Sequence, residues 1–114
     1  MFTSMFSRLA AAPDPRAIDH EEFEQSVKNG RCVVVDVREE HEFASGHIPT
    51  SLNMPLSAFD PQLLPSGKPL VLVCHSGKRS LNALHKALEL GREDVGHYAG
   101  GVAGWRSRGG ALTR

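Results

Sequence analysis

Two short apolar runs, Cys32-Val33-Val34-Val35 and Leu70-Val71-Leu72-Val73, stand out in a chain whose other hydrophobic residues recur mostly at helical spacing. Unbroken β-branched runs of this length are the pattern of strands buried on both faces. The first extends from Cys32 to Val37. Ahead of it, Asp19 with Glu22 three residues later forms an N-cap signature, and Phe23 and Val27 supply an apolar stripe. A helix is therefore expected from Asp19 to Lys28, ended by Asn29-Gly30. After it, residues 39–44 read as a short helix stopped by Gly46, and Leu52-Asn53-Met54 as a brief extended segment before Pro55. A further short helix is expected over Ser57–Leu63, and a Pro/Ser/Gly loop precedes the second apolar run. Leu81, Leu84 and Leu88 mark the longest helix, over Ser80–Leu90. Val95 to Tyr98 reads as a strand, followed by the glycine turn Gly100-Gly101 and a last helix around Trp105.

Short apolar strands alternating with helices predict an α/β domain on a mostly parallel sheet, where ligands sit beyond the carboxyl ends of the strands. The chain has 114 residues, one domain's worth and enough to bury a core without disulfides. Pro13 and Pro15 divide it into an N-terminal extension over 1–15, the domain over 16–110 and a tail over 111–114. In the extension, Phe2, Met5, Phe6 and Leu9 fall at helical spacing without the features of a secretory signal, so a cytoplasmic setting is expected. No segment is apolar enough over sufficient length to span a bilayer. With 13 basic and 13 acidic residues, no global field favours nucleic acid or an anionic surface.

Candidate chemistry concentrates at the end of the second apolar run. Cys74 follows Val73 directly, then come His75, Ser76, Gly77, Lys78, Arg79 and Ser80, where helical spacing begins. The thiol is thus placed between a strand's carboxyl end and a helix's amino end. Unpaired backbone N–H groups there bind anions, and nearby cations and N–H groups lower a thiol pKa from about 8.5 to roughly 3.5–7.5. Cations in a helix's first turn oppose its dipole, so Lys78 and Arg79 point to a functional reason. Cys32, the other cysteine, lies inside an apolar run and reads as structural. The six histidines are scattered without ligand spacing, so no metal is expected.

Three stretches in order resemble the rhodanese family of sulfurtransferases in its single-domain form. Asp36-Val37-Arg38-Glu39 with Glu42-Phe43-Ala44-Ser45-Gly46-His47-Ile48-Pro49, continued by Asn53-Met54-Pro55, is similar to the family's opening signature. Residues Cys74 to Ser80 resemble its active-site loop, and Gly100-Gly101 with Trp105 its closing motif. The likeness covers about Ile18 to Arg108. One departure is Thr50-Ser51, where the family commonly has Gly-Ala; adjusted loop packing is the expected consequence.

The resemblance implies a rhodanese-like fold, a mostly parallel sheet with helices on both faces, and transfer of a sulfane sulfur from thiosulfate or a similar donor. Cys74 would be the nucleophile and carry the sulfur as a persulfide to a thiol or cyanide acceptor, or to an acceptor protein, without metal or organic cofactor. His75, Ser76, Gly77, Lys78, Arg79 and Ser80 would surround the donor. Gly77 would let the loop curl, and Lys78 and Arg79 would stabilise the thiolate and hold an anionic donor. Asp36, Arg38 and His47 would be structural residues near the site, and Trp105 would close the core. A monomer or weak dimer is expected. A related class, the cell-cycle phosphatases and arsenate reductases, typically places five residues between cysteine and arginine; here four lie between Cys74 and Arg79. A non-catalytic interaction module is the other alternative, against which stands the retention of Cys74, Gly77 and Arg79.

Overall fold

The computed structural model describes residues 16–114; the helical spacing of Phe2, Met5, Phe6 and Leu9 lies outside the described residues. Strands β1 (Val33–Asp36), β2 (Leu52–Asn53), β3 (Leu70–Val73) and β4 (Val95–His97) form one sheet in the order β2-β1-β3-β4, every pair parallel. Helices α1 (His20–Lys28) and α4 (Gly101–Ser107) cover one face, and α3 (Lys78–Glu89) the other. The short helix α2 (Glu40–Ser45) follows β1. This is the expected α/β architecture, a parallel sheet with helices on both faces. No helix among the described residues is long and apolar enough to cross a membrane.

The alternation of side chains along the strands splits the core into two layers. Val34, Val71 and Val73 face Phe23, Tyr98, Val102 and Trp105. Val35, Leu70, Leu72 and Val95 face Ala83, Leu84 and Ala87 of α3. Phe23 stacks on Tyr98 with ring centroids 4.4 Å apart and meets Trp105 edge-on at 5.5 Å. The Trp105 indole N–H donates to the Ala111 carbonyl at 2.8 Å, and His47 and Thr113 exchange backbone hydrogen bonds of 2.8 Å each. Residues 111–113 are thereby held against the sheet's partner elements.

Local chemistry set most element boundaries. Asp19 caps α1 by accepting from the Glu22 N–H at 2.8 Å. Most elements agree with the sequence expectation to within a residue at either end, and two depart further. The helix expected over Ser57–Leu63 is two separate 3₁₀ turns, Leu56–Ala58 and Pro61–Leu63. Phe59 and Asp60 between them are extended, and the Asp60 carboxylate accepts from the Gln62 N–H at 2.9 Å, restarting the chain at Pro61. The long helix starts at Lys78, two residues before Ser80, because Gly77 adopts φ 105° and serves as its N-cap.

At the Thr50-Ser51 departure, the loop keeps a backbone made for glycine. Thr50 has φ 69°, the sole positive-φ non-glycine among the described residues. Ser51 closes the turn by donating its N–H and hydroxyl to the Ile48 carbonyl at 3.1 and 2.6 Å. A β-branched residue in the left-handed region costs about 1–2 kcal/mol, and glycine there returns part of that gain as unfolded-state entropy. Thr50→Gly should therefore raise unfolding stability by about 1 kcal/mol in urea titration; a loss of stability would mean that Thr50 packing outweighs the strain.

Candidate active site

The end of β3 delivers Cys74 into the interior, 1% exposed, with its sulfur toward the start of α3. The sulfur accepts from the Gly77 N–H at 3.1 Å and the Ser80 N–H at 3.3 Å, and the Ser80 hydroxyl lies 3.6 Å away. The turn that brings these groups round requires Gly77. A Cβ built there would lie 2.5 Å from the Ala99 carbonyl oxygen, and the φ of 105° disfavours any other residue. Gly101, at φ 65°, is equally constrained, since a Cβ there would overlap the Cys74 and His75 carbonyls. That approach lets the first turn of α4 grip the loop from behind: Val102 N–H donates to Cys74 C=O at 2.8 Å and Ala103 N–H to His75 C=O at 3.0 Å.

Burial pushes the Cys74 thiol up. Against it act the Ser80 N–H and hydroxyl, then the Gly77 and Ser76 N–H groups, and the net result lies below the ordinary thiol value. Cys32 has no such donors; burial pushes it up to about 11. The two cysteines are free thiols of opposite character. Alkylation by iodoacetamide, followed by peptide mass mapping across pH, should label Cys74 with a midpoint below that of an ordinary thiol, while Cys32 labelling rises only toward pH 11. A shared midpoint would refute the difference.

The loop side chains divide. Ser80 is buried, whereas His75, Ser76 and Lys78 are exposed. Lys78 lies on the outer surface of α3 beside Leu81, Asn82 and His85. Arg79 reaches across to α2, where its two terminal nitrogens donate to the Glu42 carboxylate at 2.7 and 3.0 Å. Beside the loop opens a cleft of about 730 Å³, with His75 on one wall and Arg38, His41, Glu42, Ala103 and Arg106 among the others.

Below this rim, Asp36 and Arg38 form a buried ion pair at the end of β1, 0% and 5% exposed. Arg38 donates through Nε and Nη2 to both Asp36 oxygens at 2.9–3.1 Å, and through Nη2 to the Gly46 carbonyl at 2.8 Å. Asn53 on β2 joins them by donating to the Asp36 and Arg38 carbonyls. His47 stacks on Phe43 at 3.7 Å between centroids, and its Nδ1–H donates to the Phe43 carbonyl at 2.9 Å. These residues fix α2, and hence Glu42, relative to the loop.

Two residues of the site went unassigned in the sequence. Glu42 sits inside the opening signature but reveals no role until Arg79 meets it. His97, a polar residue in an otherwise apolar strand, is 2% exposed and lies 3.1 Å from the Ser80 hydroxyl through Nδ1. Among the described residues, His, Cys, Asp and Glu side chains form no group of three able to hold a metal ion.

The hydrogen bonds from Arg79 hold the Glu42 carboxyl at about 2, from an ordinary 4.5. A depressed carboxyl stabilises the fold fully above its unfolded value and loses that contribution as pH falls through the folded one. The stability difference between wild type and Glu42→Gln, from denaturant titration, should thus be constant above pH 4.5 and shrink as pH falls toward 2. A difference independent of pH across that window would remove the ion pair as its cause.

A parallel sheet that delivers one cysteine into a ring of backbone donors defines a class, and the sequence comparisons name it. Residues 19–108 match the rhodanese-like domain, and the chain belongs to that family. It is homologous to sulfurtransferases: the human thiosulfate:glutathione sulfurtransferase is 33% identical over 113 residues, covering 85% of this chain and 96% of that protein. An uncharacterised Synechocystis protein is 42% identical over 79 residues, 68% of this chain; the chain spans 44% of that protein's length. Among solved structures, a rhodanese-related protein from Thermoplasma volcanium superposes with a TM-score of 0.77 at 28% identity, covering 86% of this chain and 97% of that one.

Proposed function

We propose that the protein transfers sulfane sulfur from thiosulfate or a chemically similar donor to a small thiol, through a persulfide on Cys74. The observation that carries this reading is the convergence of the Gly77 and Ser80 N–H groups on the Cys74 sulfur, which holds the thiol below its ordinary value and so favours the nucleophilic thiolate. The Cys74 thiolate attacks the outer sulfur of thiosulfate, forming a new S–S bond. The donor's own S–S bond breaks, and sulfite leaves with the electron pair. In the second half-reaction an acceptor thiolate attacks the terminal sulfur of the persulfide. Cys74 departs as a thiolate into the same ring of donors, and the acceptor leaves as its persulfide. Cyanide as acceptor would leave as thiocyanate. Two half-reactions on one nucleophile give ping-pong kinetics.

Backbone donors fit a leaving and entering anion because they are already oriented, so no reorganisation accompanies the change of charge. Arg79 adds positive charge; its own acidity responds to Glu42 first and also to the Cys74 anion, which supports electrostatic contact with the sulfur. The relatives agree with a thiosulfate donor: the human protein is named for thiosulfate and glutathione, and a relative from Saccharomyces cerevisiae, 30% identical over 98 residues, is named a thiosulfate sulfurtransferase.

Intact mass after incubation with excess thiosulfate tests the mechanism. Wild type should gain one sulfur atom that cyanide or a thiol removes, and Cys74→Ala should gain none while keeping its circular dichroism spectrum. Absence of the gain with thiosulfate, mercaptopyruvate and protein persulfides alike would sink the catalytic reading in favour of an interaction module.

A further inference from the structure

The Ser80 hydroxyl is within hydrogen-bonding distance of the Cys74 sulfur, and its proton has three acceptors within reach. The Gly77 carbonyl lies 3.1 Å from Ser80 Oγ, His97 Nδ1 also 3.1 Å, and the Cys74 sulfur 3.6 Å. All four groups are buried, so water does not arbitrate. A hydroxyl has one proton to give and can accept as well. If His97 presents a bare Nδ1, it competes with the sulfur for that proton. If Nδ1 carries hydrogen, it donates to Ser80 Oγ, and the hydroxyl proton is left to the Gly77 carbonyl and the sulfur. A charged sulfur is the stronger acceptor of these two.

We infer that His97 is a positioning residue for the nucleophile: its Nδ1–H donates to Ser80 Oγ and so directs the Ser80 hydroxyl onto the Cys74 sulfur. The placement follows from the register. Val95 and His97 alternate on β4 to face α3, where Val95 joins the apolar layer against Ala83 and Leu84. His97 continues that face one step further and meets Ser80 in the first turn of α3 instead of an apolar residue. A buried imidazole needs polar partners, and Ser80 Oγ is one of them. The bond acts through Ser80 and does not touch substrate.

The inference rests on the sulfurtransferase reading only for its purpose, so its test reads thiol acidity and needs no turnover. The pH profile of iodoacetamide alkylation at Cys74 would be recorded for wild type, His97→Leu, His97→Asn, Ser80→Ala and the Ser80→Ala/His97→Leu double variant. Loss of one hydrogen bond to a charged sulfur corresponds to about one pH unit, or about tenfold slower labelling at neutral pH. His97→Leu and Ser80→Ala should each show a rise of that order, the double variant no more than Ser80→Ala alone. His97→Asn, which can still donate, should stay near wild type. An unchanged profile in His97→Leu, or shifts that add in the double variant, would overturn the inference. Should His97→Leu fail to fold, long-range ¹⁵N–¹H spectra of wild type decide independently: hydrogen on Nδ1 is required, and the tautomer with bare Nδ1 refutes it.

Discussion

The arrangement of this site depends on making ionisation easy for a sulfur that is almost fully buried. Cys74 is almost fully buried, and burial by itself opposes ionisation. The fold answers with amide groups in place of water. That requires the chain to leave β3, reverse and enter α3 within four residues, which only a left-handed Gly77 permits. The parallel sheet, the position of α3 and the close approach of α4 at Gly101 all serve this one turn. The charged pairs around it hold the neighbouring walls: Asp36–Arg38 fixes the end of β1 to the end of α2, and Glu42 of α2 then fixes Arg79.

The parts of this arrangement that are local in sequence were legible in it. An apolar run ending at a cysteine, with a glycine before helical spacing, places Cys74 at a strand end without any tertiary knowledge. The strands at Val33–Asp36 and Leu70–Val73 and the cap at Asp19 were readable for the same reason, since each rests on neighbours within four residues. The start of α3 was misread by two residues because the conformation of Gly77, not its identity, sets that boundary. The 3₁₀ turns around Asp60 were merged into one helix because a helical composition does not reveal a side-chain cap that restarts the chain.

What the sequence hides are partners brought together by topology. Arg79 reads as a free cation beside the thiol, yet its guanidinium is engaged by a carboxylate 37 residues away. Ser80 reads as a first-turn residue, and its link to His97 spans the crossing from α3 to β4. The replacement of the family's glycine by Thr50 is visible in the sequence, but the strain is not, since the turn around it keeps the glycine backbone.

The bonds from α4 to the back of the loop have an electronic consequence. The His75 carbonyl accepts from Ala103, and the N–H of the same peptide group, carried by Ser76, faces the sulfur on the other side. A peptide group polarised at its oxygen becomes a better donor at its nitrogen. The closing helix thus lies in series with the nucleophile, through a single amide plane. A shift of the first turn of α4 that lengthens the Ala103–His75 hydrogen bond reaches the thiol as a change in amide polarisation, even where it leaves every atom of the cysteine loop in place.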